Sequence, residues 1–224
     1  MKERRRFIKI ALGCLGGAGL VMSPLFSFLR LVFAEAKKII LPKGTARETL
    51  IDKNPALLDT RHLEPTPLKG FGTMGLSDHQ VKLEEWRLEI DGEVKRPLRL
   101  SPDELKALTP IQRNVLLICP GFFANHGVWK GVSIRTLLNM AEADAGVTHV
   151  TLRGPAGTYE KVERFTIEEV LSDRVFLAYE VNGEMLPQRH GFPLRVVAEG
   201  HYGYDWVKYV YKVTVQRIDG AKGK

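Results

Sequence analysis

Hydrophobic and polar positions fall into three regimes along the chain. Ile10 to Leu29 is a charge-free, moderately apolar run that includes four glycines. Residues 37–84 open with a Pro-, Gly- and charge-containing stretch of weak periodicity, which predicts an extended arm packed on a domain. From Trp86 the pattern sharpens. Trp86-Arg87-Leu88-Glu89-Ile90 alternates as a half-buried strand does, and Asp91-Gly92 predicts a hairpin-type turn. Ser101-Pro102-Asp103-Glu104 supplies a cap, a first-turn proline and acids, the signs of a helix start. Asn114–Cys119 predicts a buried strand, and Ser133–Ala143 a helix with Ile134, Leu137, Leu138 and Ala141 on one face. Val150–Leu152 and Val175–Tyr179 predict short strands on either side of a helix at Thr166–Leu171, and Asn182-Gly183 a second hairpin turn. From Trp206 the chain alternates again, with Val207, Tyr209, Tyr211, Val213 and Val215 on one face. Short strands interspersed with helices predict an α+β fold with mixed sheets, and there is no Gly-rich phosphate loop.

Composition narrows the classes. Residues 37–224 suffice for one domain of ordinary size. The formal charge of +7 includes six Lys and Arg and two acids before residue 37, so the remainder carries only +3. That is too mild for a nucleic-acid partner, and the aromatics do not interleave with a basic stripe.

The segment Arg4-Arg5-x-Phe7-Ile8-Lys9 resembles the twin-arginine export motif, with Glu3 where a Ser or Thr is usual. The apolar run behind it is about long enough to span a bilayer, for which roughly 20 residues suffice. Residues 1–36 therefore read as a twin-arginine signal or an N-terminal membrane anchor. The basic end stays cytoplasmic, placing the domain in the periplasm or on the outer face of the membrane. Ala34-Glu35-Ala36 offers a cleavage site, and removal and retention both fit. Cys14 has too little apolar sequence ahead of it for a lipoprotein. Export in the folded state favours a bulky redox cofactor; a fast-folding protein without cofactor is the alternative.

Cys119 has no cysteine in the domain to pair with, unusual for an exported chain. It ends the run Val115-Leu116-Leu117-Ile118 and opens the turn Cys119-Pro120-Gly121. Such a thiol is a small buried hydrophobe, or it is a ligand or nucleophile. His190 stands in a turn before Gly191 and Pro193, Arg195 within Leu194-Arg195-Val196-Val197, and Lys208 in the terminal alternation. Alternation alone turns Arg195 and Lys208 outward; a guanidinium facing inward there needs an anion.

Together these residues match a family. Trp86–Leu100, Cys119 followed by Trp129-Lys130-Gly131-Val132-Ser133, and Leu177-Ala178-Tyr179-Glu180-x-Asn182-Gly183 continuing through His190-Gly191-x-Pro193-Leu194-Arg195 to Tyr202-Gly203-Tyr204-x-x-Val207-Lys208 resemble the molybdopterin domain of sulfite oxidase-type enzymes. The likeness covers roughly residues 85–217, within a domain bounded at 85–220. It is nearer to the short, haem-free bacterial members, such as the periplasmic methionine sulfoxide reductase catalytic subunit.

The resemblance implies the sulfite oxidase-type fold and a molybdenum-molybdopterin cofactor (Mo-MPT), with Cys119 as metal ligand and catalytic residue. It implies cofactor contacts from His190, Arg195 and Lys208, and from the backbone at Trp206 and Val207. Gly72 and Thr73 stand where that branch has an Asn-rich stretch. The expected activity is two-electron chemistry, above all oxygen-atom transfer on a small-molecule substrate. With no C-x-x-C-H motif, electrons pass to or from a membrane haem b subunit or a soluble cytochrome, and the twin-arginine export machinery is a further partner. Three departures matter: the strap Phe71-Gly72-Thr73-Met74-Gly75 lacks the asparagine, Asp205 replaces a usual basic residue, and Pro120–His126 lacks the arginines that bind sulfite. A neutral sulfoxide or N-oxide is then the better substrate. His126 reads as a funnel or a loop residue. The rival readings are a metal-free thiol enzyme using Cys119 with His126 or His190, and a non-catalytic pterin-binding module of the same fold.

Overall fold

The computed structural model describes residues 38–158 and 160–218; the expected export segment 1–36 lies outside them. Residues 38–84 are built from short pieces. Strands β1 (Ile39–Ile40) and β2 (Leu58–Asp59) pair in parallel, and 3-10 turns occupy Arg47–Leu50, Pro55–Leu57 and Leu68–Gly70. Leu41, Leu50, Leu58 and Leu63 pack against Leu116, Ile118 and Ala124, which lays this arm on the domain.

The rest forms two five-stranded sheets and three short helices. In chain order they are β3 (Leu88–Gly92), β4 (Leu98–Leu100), α1 (Pro102–Ala107), β5 (Pro110–Cys119), β6 (Phe123–Val132), α2 (Ile134–Met140), β7 (His149–Arg153), β8 (Val162–Thr166), α3 (Ile167–Leu171), β9 (Val175–Val181), β10 (Glu184–Met185), β11 (Arg195–Ala198) and β12 (Lys212–Gln216). One sheet runs β10-β9-β6-β5, with β11 also on β9; the other runs β4-β3-β12-β7-β8. Only β3 and β12 pair in parallel there, so the second sheet is mixed. A single core joins both sheets, with Trp129, Phe176, Leu177, Ile90, Leu152 and Val213 buried in it.

Local chemistry explains the boundaries. Helix α1 starts in a capping box: the Glu104 N–H donates to Ser101 Oγ at 3.3 Å, and the Ser101 N–H to Glu104 Oε2 at 2.8 Å. Thr166 and Glu169 do the same for α3. Strands β5 and β6 pair over their whole length, from Pro110 opposite Val132 to Cys119 opposite Phe123. The loop between them closes with the Phe122 N–H donating to the Cys119 carbonyl at 3.0 Å.

Several expectations are corrected. Asp91 and Gly92 are no turn; they continue β3 and pair with Thr214 and Val215. Residues 123–132 form β6, and His126 within it is neither a loop nor a funnel residue. It is fully buried beneath the arm, against the backbone of Leu63 and Glu64, with neither ring nitrogen in hydrogen-bond geometry. The alternation from Trp206 becomes a strand only at Lys212, because Tyr209 takes φ +53° and interrupts it.

Candidate functional site

A cleft of about 390 Å³ opens at the Cys119 end of β5. Its walls include Cys119, Gly72, Thr73, Met74, His190, Arg195, Trp206 and Lys208, so seven of the eight expected site residues converge there. The eighth, Val207, is fully buried and gives its carbonyl to the Val196 N–H at 2.8 Å; it does not line the cleft.

Gly191 explains how three of these groups meet. It follows the turn Gln188–His190 with φ +106°, and a Cβ there would stand 3.1 Å from the Cβ atoms of both Arg195 and Lys208. Only glycine lets the His190 turn close onto both residues. Space also holds position 72 to glycine, since a Cβ there would fall 2.4 Å from the Phe123 ring.

Arg195 begins β11 and is 3 % exposed. Its guanidinium lies 5.1 and 5.4 Å from the ring centroids of Trp129 and Trp206. It donates to the His190 carbonyl at 3.0 Å and, at 3.4 Å, to that of Val196. It forms no ion pair with a carboxylate among the described residues. Burial pushes its pKa down to about 9. Such a cation is costly without an anion and calls for one.

The Lys208 ammonium donates to Thr73 Oγ1 at 2.8 Å and to the carbonyls of Leu76 and Arg189 at 2.9 and 3.0 Å. Burial, then the charges of Arg195 and Arg189, lower its pKa to about 8. His190 is 2 % exposed, sits edge-on to Phe71, and accepts from Arg189 Nε at 3.2 Å. Burial and then the neighbouring cations push it down to about 4, so the ring is neutral at pH 7. The arrangement is a buried cationic wall suited to an anion such as a phosphate.

Cys119 is 8 % exposed, and burial pushes its thiol pKa up. Its Sγ lies 3.7 Å from Met74 Sδ. Leu117, two positions earlier and hence on the same strand face, and Phe123, its register partner, complete an apolar surround.

A residue that sequence reasoning overlooked holds the strap from behind the cleft lining. Asn125 in β6 accepts from the Gly72 N–H at 3.1 Å and donates to the Gly72 carbonyl at 3.0 Å. Met74 and Arg189 were overlooked too; Arg189 donates to the Phe71 carbonyl at 2.8 Å and holds the strap's start. Asp205 does not line the cleft and stands 3.5 Å from His201.

The geometry fits a cofactor with a soft metal at one end and an anionic group at the other. The volume lies within the range of small-molecule and cofactor sites, about 300–1,000 Å³. A lone thiol serves the metal, and an acid-free guanidinium serves the anion.

Comparison with known proteins agrees. The model of the oxidoreductase molybdopterin binding domain matches residues 75–222. The NADH nitrate reductase of Lotus japonicus is 31% identical over 198 residues, 74% of this chain and 22% of that protein. The protein-methionine-sulfoxide reductase catalytic subunit MsrP of Gluconobacter oxydans is 29% identical over 143 residues, 57% of this chain and 46% of that protein. The sulfane dehydrogenase SoxCD of Paracoccus pantotrophus superposes with a TM-score of 0.59 at 24% identity, over 62% of this chain and 40% of that one. That likeness concerns the fold alone. The chain spans less than half the length of each of these relatives.

Proposed function

Because the chain belongs to the oxidoreductase molybdopterin binding domain family, we propose that its cleft holds molybdenum-molybdopterin and performs oxygen-atom transfer on a small neutral substrate such as a sulfoxide or N-oxide. The observation that carries this is the convergence of Cys119, His190, Arg195 and Lys208 on one cleft. The bound group supplies a metal that exchanges two electrons with substrate.

The chain's own residues do the rest. Cys119 binds the metal as thiolate; ligation removes the proton that burial otherwise keeps on the sulfur. Arg195 and Lys208 neutralise the phosphate, and neutral His190 orients the pterin without adding charge. Gly72, Thr73 and Trp206 form the walls. Leu117, Phe123 and Met74 give the Cys119 end apolar surface with no donor of their own, in a lining that also includes Lys161 and Tyr204. This favours a sulfoxide, the substrate class in the name of the Gluconobacter relative, over nitrate, that of the Lotus one. The metal-free thiol reading gains nothing, since the Cys119 thiol touches Met74 rather than a histidine.

Electrons pass to or from a membrane haem b subunit or a soluble cytochrome, on the outer side of the cytoplasmic membrane after twin-arginine export. The test is molybdenum per chain in protein exported from a cofactor-making host, with Cys119→Ala beside it. Close to one metal per wild-type chain, with metal lost or its coordination altered in the variant, is expected. The mass of the same preparation reports whether Lys37 is the first residue. Well-folded wild-type protein without molybdenum overturns the reading. Metal that no sulfoxide, N-oxide or nitrate reoxidises after viologen reduction points instead to a non-catalytic module.

A further inference from the structure

Met74 takes no part in holding the cofactor in the reading above, yet its thioether contacts the Cys119 sulfur at 3.7 Å. It lines the cleft while 45% exposed, so it touches both the reaction end and the way in. Its backbone is secured on both sides. Asn125 grips Gly72 through two hydrogen bonds, and Lys208 grips Thr73 Oγ1 and the Leu76 carbonyl. The backbone that carries the thioether is therefore held by bonds at positions 72, 73 and 76.

We propose that Met74 is the specificity-determining residue of this cleft: its thioether receives the apolar substituent of a neutral sulfoxide and turns away oxyanions. The inference rests on the cofactor reading above. A methionine offers a polarisable, adaptable surface and no hydrogen-bond donor, and neither Leu117 nor Phe123 beside it supplies one. Against this surface an anion gives up hydration for no hydrogen bond, whereas a sulfide or aryl group gains contact; the donors of the lining, Lys161 and Tyr204 among them, are not part of it. A guanidinium at position 74 reverses both terms.

The experiment compares wild-type protein with Met74→Leu and Met74→Arg. Molybdenum content is measured first. Methyl phenyl sulfoxide and nitrate are then titrated calorimetrically into the oxidised protein, where no turnover occurs, and kcat/KM for each is measured with reduced viologen. Met74→Leu, which keeps an apolar surface without a donor, is expected to hold the sulfoxide-to-nitrate ratio within about threefold of wild type whatever its absolute rate. Met74→Arg is expected to lose about tenfold or more in sulfoxide binding and kcat/KM, and to gain for nitrate. If arginine blocks loading, Met74→Gln carries the same comparison with no change of charge. A loaded Met74→Arg or Met74→Gln variant whose sulfoxide-to-nitrate ratio stays within about threefold of wild type overturns the inference alone. Wild-type protein without molybdenum overturns the cofactor reading and this inference with it.

Discussion

Arg195 shows how one side chain divides its effects between the fold and the cofactor. Its charge is buried with carbonyls and two indole faces for company and, among the described residues, no acid. Replacing such a charge by an apolar group of similar volume removes a desolvation cost, while the His190 carbonyl loses its donor. These offset, so unloaded Arg195→Met should unfold within about 1 kcal/mol of wild type. The loaded protein should behave differently: molybdopterin retention should fall at least about tenfold, with partial recovery in Arg195→Lys. Equal destabilisation of both forms would mean a structural role only. The cost of an arginine inside Leu194-Arg195-Val196-Val197 was legible in the sequence, and so was the oddity of a lone Cys119. The contacts of Met74 and Asn125 were not. They depend on partners 45 and 53 positions away, which no local pattern encodes.

At the scale of elements, Asn182 ties three pieces together. It takes φ +54° ahead of Gly183 in the two-residue turn between β9 and β10. Its Oδ1 accepts from the Val128 N–H in β6 at 2.9 Å, and its Nδ2 donates to the Thr66 carbonyl in the arm at 2.8 Å. Asn182→Ala should therefore cost about 2–4 kcal/mol in urea unfolding, from backbone strain and two lost bonds. Asn182→Gly should cost less, because the turn survives. If the two variants cost the same, the turn contributes nothing. That hairpin was legible because Asn-Gly names its own turn. Strands β3 and β5 and all three helices were legible from period and caps. Strand β6 was not. It is largely buried, its Asn125 amide is satisfied by Gly72, and Gly131 sits at a bulge against β9, so the alternation that marks a strand never appears.

At the scale of the whole molecule, the buried cationic cleft makes stability depend on pH. The pKa values of His190 and Lys208 are lowered, to about 4 and about 8, so between each value and the ordinary one the unfolded chain binds more protons than the folded one. The His190 and Lys208 contributions to the stability of the unloaded protein should then rise with pH through both windows, while His201 and the Cys119 thiol, whose pKa values are raised, contribute with the opposite sign. The part due to His190 and Lys208 climbs from about pH 4 to 6.5 as the histidine ceases to favour unfolding, and again above pH 8 as Lys208 discharges. The histidine window alone is worth on the order of 3 kcal/mol. His126 adds to the acid side with the same sign, since burial lowers its pKa too. The two histidines separate on loading. His126 lies under the arm and does not line the cleft, whereas His190 does. A phosphate held by Arg195 and Lys208, as proposed above, would raise the His190 pKa and shrink its part of the acid loss, while the His126 part would persist. Urea unfolding of unloaded and loaded protein at pH 4.5, 7 and 9.5 checks this. The unloaded protein should lose more between pH 7 and 4.5 than the loaded one, and should show between pH 7 and 9.5 the Lys208 gain that the loaded one, with Lys208 held charged by the phosphate, lacks. Parallel curves for the two forms would mean that no anion sits among these cations.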